Sequence, residues 1–137
     1  MGITDATARW TGEKIYFTGV DQKGNEIALG GKDFSPSHLV LLGLAGCTGM
    51  DVVSILQKKR QDIKDVEVRV TGHNPNEYPK PFTDIEVKYI VKGNNLDPKA
   101  VERAIQLSES KYCIVSQSLQ ESVKINTTYE IEEAQDQ

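Results

Sequence analysis

The alternation of apolar and polar residues in the first thirty positions predicts short β-strands. The alternating stretches are Thr7–Trp10, Ile15–Val20 and Glu26–Leu29, and loops that contain glycine separate them. Short β-rich segments divided by such loops are typical of antiparallel hairpins. The N-terminal part of the chain is therefore expected to form a meander of antiparallel strands.

The pattern changes at Ser35 and Pro36, where the spacing predicts a long helix. Ser35 is a good N-cap residue, and Pro36 suits the first position of a helix. Apolar positions then continue to Leu56, and the basic residues from Lys58 to Arg60 suit a helix C-terminus. These limits predict a helix of about 25 residues.

Between Leu39 and Val53 the predicted helix is apolar on nearly every face, which indicates a central, buried position. Gly43, Gly46 and Gly49 lie inside it, and each glycine costs a helix roughly 1 kcal/mol relative to alanine. Three such residues suggest the close approach of another backbone. Because a chain of this size has difficulty covering both sides of the helix, a homodimer is expected.

The second half of the chain predicts a hairpin followed by helices and a closing strand. Val66–Val70 and Asp84–Val91 alternate apolar with charged residues, as half-exposed antiparallel strands do. Asp97 and Pro98 then mark the start of a second helix. A short third helix is expected after Tyr112, and alternation over 123–131 predicts the last strand. The fold class is therefore α+β, with antiparallel strands around a long buried central helix and a second helix.

Length and charge limit the functions that are open to the chain. With 137 residues, one domain covering 1–137 is expected. The net charge of -4, with Lys and Arg matched locally by acids, argues against nucleic acid as a partner.

Met1–Asp5 does not begin a signal sequence, and the apolar stretch Leu39–Met50 is shorter than the roughly 18 residues of a membrane span. A cytoplasmic protein without a membrane partner is expected.

The chain has few residues that could hold a cofactor or a metal. Gly30 and Gly31 do not belong to a phosphate-binding motif. His38, His73, Cys47 and Cys113 lack the short spacings of a zinc site. We therefore expect no cofactor and no metal. In a reducing compartment the two cysteines are either buried small apolar residues or reactive thiols.

Cys47 lies in the middle of the long helix, between Gly46 and Thr48. Small and apolar residues share its face of the helix. Such a stripe could line a pocket for an apolar oxidant, with room beside the sulfur. It could equally be a tight helix crossing in which cysteine replaces alanine, and the spacing alone leaves both interpretations open.

Cys113 follows Lys111 and Tyr112 and precedes the predicted short helix. A helix N-terminus and a nearby ammonium group both stabilise a thiolate, so a lowered pKa is expected for Cys113. The alternative is a half-buried cysteine at a helix junction without a chemical role.

The stretch 35–50, SPSHLVLLGLAGCTGM, resembles the signature of the OsmC/Ohr family, in which a proline opens the central helix and a catalytic cysteine follows three turns later. The resemblance continues through 51–58 and to Lys111-Tyr112-Cys113, and it is greatest to the YhfA-like branch. It implies two intertwined subunits with the thiols at their interface. It also implies that Cys47 reduces small apolar organic hydroperoxides, that Cys113 resolves the product, and that a dithiol restores both thiols.

The chain departs from the family pattern at two places. Active members carry a glutamate directly after the helix-opening proline, where this chain has Ser37. They also use an arginine in the loop between the first two strands, where this chain has Thr11–Lys14 with Arg9 nearby. Lys14 could supply charge but lacks the planar, bidentate geometry of arginine. A non-enzymatic role, as a redox-responsive or small-apolar-ligand-binding protein, is therefore the alternative.

Overall fold

The computed structural model describes residues 2–134 and has the expected α+β composition. It divides into two compact units, Met1–Val40 and Leu41–Gln137, which are described separately below. The expectation of one domain stays a prediction. The elements in chain order are β1 (Ala6–Trp10), β2 (Phe17–Asp21), β3 (Glu26–Leu29), α1 (Pro36–Lys58), β4 (Asp62–His73), β5 (Asp84–Asn94), α2 (Pro98–Leu107), α3 (Ile114–Leu119) and β6 (Lys124–Glu133).

The first unit contains the predicted meander. Its strands form one antiparallel sheet in the order β1-β2-β3. The carboxylate of Asp21 shapes the turn between β2 and β3, because it accepts hydrogen bonds from the backbone N–H groups of Lys23 and Asn25 at 2.9 and 2.8 Å. Gly24 takes a φ of 87° in this turn, a conformation that favours glycine. The prediction of a meander is confirmed.

The second unit contains a three-stranded sheet in the order β4-β5-β6. β4 and β5 form the predicted long antiparallel hairpin, with Val66 opposite Val91. β6 pairs parallel to β5, whereas all strands were expected to be antiparallel. A parallel neighbour needs a long crossover connection, and the helical segment between β5 and β6 provides one. The sequence predicted these helices but not the direction of the strand that follows them.

Helix α1 has 23 residues and begins at Pro36, as predicted. Its buried side is a single stripe: Leu44, Thr48, Val52, Leu56. The opposite side stays exposed in the isolated chain, with Leu42 at 52% and Met50 at 75% exposure. The helix is therefore apolar all round, as expected, but this chain alone buries only one of its faces.

The length and composition of α1 would also suffice to cross a membrane. The mean hydropathy of its most apolar 18-residue window is 2.0. The apolar part of the helix is therefore longer than the stretch Leu39–Met50 considered in the sequence analysis. Core helices of soluble proteins meet the same criterion. Here Leu44, Val52 and Leu56 pack into the apolar core of the second unit, which makes α1 the core helix of this unit.

The glycines of α1 do not have the predicted backbone neighbour within the described chain. A Cβ at Gly49 would meet Val68 Cγ2 at 3.2 Å, and one at Gly43 would meet Val115 Cγ2 at 4.0 Å. A Cβ at Gly46 would meet nothing within 4 Å. Residues 2–134 of a single chain therefore explain Gly49 by side-chain packing and leave Gly46 facing open space.

The connection from β5 to β6 contains one element that the sequence did not predict. α2 begins as expected, with the Asp97 carboxylate accepting a hydrogen bond from the backbone N–H of Lys99 at 3.0 Å. It is followed directly by a π-helical turn, Ser108–Tyr112, which ends at Cys113. Such turns are rare and occur frequently at functional sites. This turn places the second cysteine at the start of α3.

Candidate functional site

Cys47 occupies the middle of α1 and is partly exposed. Its neighbour Thr48 is fully buried, and its neighbour Gly46 is exposed. The cysteine therefore lies on the boundary between the buried stripe of the helix and its exposed apolar side.

Cys113 is the N-cap residue of α3, and its side chain is 0% exposed. Its sulfur accepts a hydrogen bond from the backbone N–H of Ser116 at 3.3 Å. Its own N–H donates to the carbonyl of Ser108 at 2.7 Å, which closes the π-helical turn. The backbone on both sides of this cysteine is thus fixed by hydrogen bonds.

The fold brings the two cysteines together, although 66 positions separate them in the chain (113 minus 47). Both are free thiols, and Cys47 packs against the core cluster that contains Cys113, close enough to affect its ionisation. Burial is the main cause that raises the pKa of Cys113 to about 12, and the interaction with Cys47 adds to it. Cys113 therefore keeps its proton at neutral pH.

The expectation of a lowered pKa for Cys113 is wrong. The hydrogen bond from the Ser116 N–H does favour the thiolate, but burial outweighs it. Lys111 does not reverse this balance, because it is exposed and its ammonium group lies over the Tyr112 ring, 5.3 Å from the centroid. Adjacency in sequence therefore overstated the influence of the lysine, whose side chain extends along the surface while Cys113 faces the core.

Asp51 follows Cys47 by one helical turn and contacts the segment that carries the other cysteine. Its carboxylate accepts a hydrogen bond from the Ser108 hydroxyl at 2.9 Å. Ser108 is fully buried and begins the π-helical turn. This contact fastens α1 to the turn beside the two thiols.

A second polar group near the thiols was missed by sequence reasoning. Tyr89 is 0% exposed, and its hydroxyl donates to the Glu109 carboxylate at 2.5 Å. Burial is the main cause that raises the pKa of Tyr89, and the hydrogen bond to Glu109 adds to it, whereas a hydrogen bond with Thr48 opposes it. An electrostatic interaction with Cys113 also raises the pKa of Tyr89, so the tyrosine lies near the thiol pair.

The only sequence signal for this group was weak. Tyr89 occupies an inward position of an alternating strand, where a large residue with a polar tip needs a hydrogen-bond partner. Glu109 gave no signal, because it lies in the polar segment between the two predicted helices. All buried side-chain polar atoms of residues 2–134 have a hydrogen-bond partner, so this pair belongs to a fully satisfied interior.

An apolar groove of about 610 Å³ runs between α1 and β4, beside the residue that precedes Cys47. Its lining is mainly small and apolar: Ala45, Gly46, Gly49, Met50, Val53, Ser54, Gln57, Val66, Val68. The small residues that sequence analysis placed around Cys47 therefore do leave space. The groove belongs to the same exposed side of α1 as Met50.

The residues at the two departures from the family pattern lie in the first unit. Arg9 is on β1 and pairs with Thr18 on β2. Lys14 has a φ of 42° in the loop between these strands, and its carbonyl accepts a hydrogen bond from Trp10 Nε1 at 3.0 Å. Ser37 is exposed in the first turn of α1. These positions agree with the loop and helix start that the sequence predicted for them.

The two histidines do not join the cysteines in a common cluster. His38 is exposed near the start of α1, and Nε2 of the exposed His73 lies 3.5 Å from the Glu86 carboxylate. Among residues 2–134, no three His, Cys, Asp or Glu side chains are grouped so that they could hold a metal ion. The expectation of no metal and no cofactor stays a prediction.

Comparison with known proteins places this geometry in a family context. The family model for OsmC-like protein matches residues 29–128. Protein YhfA of Escherichia coli K12 is 42% identical over 130 residues, which are 92% of this chain and 96% of YhfA. The crystal structure of a hypothetical protein from Aquifex aeolicus VF5 is 30% identical, with a TM-score of 0.90 over 98% of this chain and 100% of that one.

A more distant structure carries a functional name. It is the organic hydroperoxide resistance protein OhrB of Bacillus subtilis, which is 16% identical, with a TM-score of 0.63 over 94% of this chain and 98% of that one. At this identity the likeness concerns the fold alone.

Proposed function

Because the chain belongs to the OsmC-like protein family, we propose that it is a thiol peroxidase that reduces organic hydroperoxides in oxidative-stress defence. Cys47 is the peroxidatic thiol and Cys113 the resolving thiol. The observation that carries the proposal is the contact between a partly exposed Cys47 and a fully buried Cys113. One sulfur is reachable from outside, and the second is held against it.

The first step oxidises Cys47. Its thiolate attacks the outer oxygen of the hydroperoxide, the O–O bond breaks, and an S–O bond forms. The products are a Cys47 sulfenic acid and an alkoxide, which takes up a proton and leaves as the alcohol. The apolar groove beside Gly46 suits the hydrocarbon part of such a substrate, since its lining is mainly apolar.

The second step joins the two sulfurs. The Cys113 sulfur attacks the sulfenic sulfur, an S–S bond forms, and the S–O bond of Cys47 breaks. The Cys113 thiol gives up its proton as its sulfur attacks. That proton combines with the departing hydroxide to give water, so the step requires no external acid.

The third step needs a dithiol from outside. A dithiol transfers two electrons to the Cys47–Cys113 disulfide, becomes a disulfide itself, and restores both thiols. Attack at Cys47 is favoured because Cys113 is buried. The sulfur that first meets the peroxide is therefore also the one that meets the reductant.

We place the working protein in the cytoplasm as a homodimer. A second copy packed on the exposed side of α1 would cover Leu42 and Met50, which a single chain leaves 52% and 75% exposed. It would also narrow the groove from outside. Burial of such apolar surface is the usual driving force of an obligate dimer.

The direct test is turnover with cumene hydroperoxide and dihydrolipoate. The native protein should consume peroxide catalytically, Cys47→Ser should consume none, and Cys113→Ser should stop after one equivalent with sulfenic acid on Cys47. A Ser118→Ala variant, altered at an exposed hydroxyl of α3, serves as the matched control. Peptide mapping that finds both thiols reduced after peroxide treatment would refute the proposal.

The second candidate is a redox-responsive or ligand-binding role without turnover. Ser37 and the loop Thr11–Lys14 favour it, because they replace the glutamate and the arginine that the family resemblance leads one to expect. In that case peroxide oxidises the thiols once, and the dithiol regenerates them too slowly for catalysis. The ratio of peroxide consumed to protein present separates the two candidates.

A further inference from the structure

Glu109 is the most connected residue of the π-helical turn. One oxygen of its carboxylate accepts the Tyr89 hydroxyl at 2.5 Å, and the other accepts the Thr127 hydroxyl at 2.6 Å. Tyr89 is on β5 and Thr127 on the neighbouring β6. The carboxylate therefore fastens the turn to two strands of the sheet.

The backbone carbonyl of Glu109 contacts the other neighbour of the turn. It accepts hydrogen bonds from the side chains of Ser116, Gln117 and Gln120, at 3.2, 2.6 and 2.5 Å. Ser116 and Gln117 belong to α3, and Gln120 is its C-cap residue. One residue thus joins the sheet to the helix that Cys113 caps.

The start of the same turn is fixed to α1. The Ser108 hydroxyl donates to Asp51, and the Ser108 carbonyl accepts the Cys113 N–H at 2.7 Å. The turn is therefore held to the helix of Cys47 at one end and to the sheet one residue later. Cys113 follows at its other end, with its sulfur against Cys47.

We propose that Glu109 is a positioning residue for disulfide formation, whose carboxylate fixes the turn so that the Cys113 sulfur stays within reach of Cys47. The inference rests on the proposed thiol chemistry and adds a residue to it. Glu109 does not touch the reacting sulfurs; it acts through the backbone of the turn. Holding two reacting groups in contact can replace a large part of the entropic barrier to their reaction.

A carboxylate suits this role better than an amide of the same size. Its two oxygens accept both hydroxyls at once, and such charge-assisted hydrogen bonds are stronger than neutral ones. A glutamine offers one oxygen, and its NH₂ group would face the second hydroxyl. Glu109→Gln therefore keeps the shape but replaces the two charge-assisted hydrogen bonds with weaker neutral ones, and one of the two hydroxyls must turn to accept from the NH₂ group.

The test separates the two oxidation steps in single turnover. Protein is mixed with one equivalent of cumene hydroperoxide, and the Cys47 sulfenic acid and the disulfide are followed by dimedone trapping and mass spectrometry. In Glu109→Gln we expect disulfide formation to slow about tenfold relative to sulfenic acid formation, because weaker neutral hydrogen bonds hold the turn less firmly. Equal slowing of both steps, or no slowing, would overturn the proposal.

Glu130→Gln is the matched control. Glu130 is an exposed carboxylate on β6, and its ion pair with Lys88 at 2.7 Å lies outside the turn. This variant should show the native ratio of the two rates.

Tyr89→Phe is a second variant in case Glu109→Gln folds poorly, because it removes the donor and leaves the carboxylate. The double variant of Tyr89→Phe and Glu109→Gln should slow disulfide formation by less than the two single effects combined, since both substitutions act on the same contact.

A second measurement does not depend on peroxide. Each protein is equilibrated in mixtures of reduced and oxidised dithiothreitol, and the fraction of the Cys47–Cys113 disulfide is quantified. Glu109→Gln should need about ten times more oxidised reagent than Glu130→Gln to reach half oxidation. If the native protein forms this disulfide here but does not react with peroxide, the peroxidase proposal fails and the positioning role stands. Identical midpoints for the two variants would refute the positioning role.

Discussion

The hydroxyl of Ser108 donates a hydrogen bond of 2.9 Å to the carboxylate of Asp51. Asp51 lies one turn beyond Cys47 on α1, and Ser108 opens the π-helical turn that ends at Cys113. By its spacing, Asp51 shares the helix face of Cys47. In the structure it is the attachment point between the two segments that carry the thiols.

Ser108→Ala should therefore destabilise the protein. The hydroxyl is fully buried, and its loss leaves the Asp51 carboxylate without this donor. A free-energy loss of about 1 to 3 kcal/mol is expected for a hydrogen bond to a charged group. Urea unfolding followed by circular dichroism measures it. Ser118→Ala, which removes only an exposed hydroxyl bonded to a helix carbonyl, should change stability by about 0.5 kcal/mol or less.

Alkylation should distinguish the two thiols of the native protein. Iodoacetamide at neutral pH should label the partly exposed Cys47 and leave Cys113 unlabelled, because Cys113 is buried and burial raises its pKa to about 12. Mass spectrometry of tryptic peptides reads both sites. In urea both thiols should react at similar rates. Preferential labelling of Cys113 in the folded protein would contradict the observed burial and restore the expectation drawn from Lys111.

The same burial predicts a loss of stability at alkaline pH. Above about pH 9 the unfolded Cys113 thiol loses its proton, while the folded protein retains it up to a pKa of about 12. The unfolded state then binds fewer protons than the native state, so the free energy of unfolding falls as pH rises through this range. Below about pH 9 both states keep this proton, and the contribution of Cys113 to the free energy of unfolding is fully present.

The slope due to Cys113 should approach about 1.4 kcal/mol per pH unit at most. Lysines and tyrosines also titrate at alkaline pH, so the informative quantity is the difference between the native protein and Cys113→Ala. Urea unfolding at several values between about pH 8 and pH 10.5 gives this difference. Parallel curves for the two proteins would mean that Cys113 ionises normally in the fold.

Local signals in the sequence predicted the elements well. Pro36 and Asp97-Pro98 mark helix starts, because the residues that favour a helix start lie within its first turn. The strands β4 and β5 were predictable because apolar and polar residues alternate along them over many positions. The parallel direction of β6 was not predictable in this way, because it depends on the path of the whole crossover. Sequence periodicity carries no information about that path.

The candidate site was predictable only in part. Cys47 and Cys113 were identified, and the family resemblance implied their pairing. Glu109 was missed because its partners Tyr89 and Thr127 are 20 and 18 positions away in the chain, and no local pattern relates them. The wrong prediction for the pKa of Cys113 has the same origin. The burial that raises this pKa comes from the packing of distant segments, whereas the prediction relied on Lys111, which is only adjacent in sequence.

Gly46 offers a test of what covers the exposed side of α1. In the isolated chain a Cβ at this position would meet nothing within 4 Å. Gly46→Ala should then stabilise the helix by about 1 kcal/mol, the usual gain over glycine in a helix interior. If a second copy packs on this face, as proposed, the added methyl group must instead enter the interface, and Gly46→Leu should weaken the dimer strongly.

Sedimentation velocity over a range of concentrations, together with thermal unfolding, measures both effects. We expect the native protein to sediment as a dimer and Gly46→Leu to shift towards monomer with a lowered melting temperature. Arg103→Leu, which adds a leucine to the exposed surface of α2, is the control for added apolar surface and should stay dimeric. A monomeric native protein that Gly46→Ala makes more stable would show that α1 keeps its apolar side open, because the glycine then serves no close contact and the helix gains from its replacement.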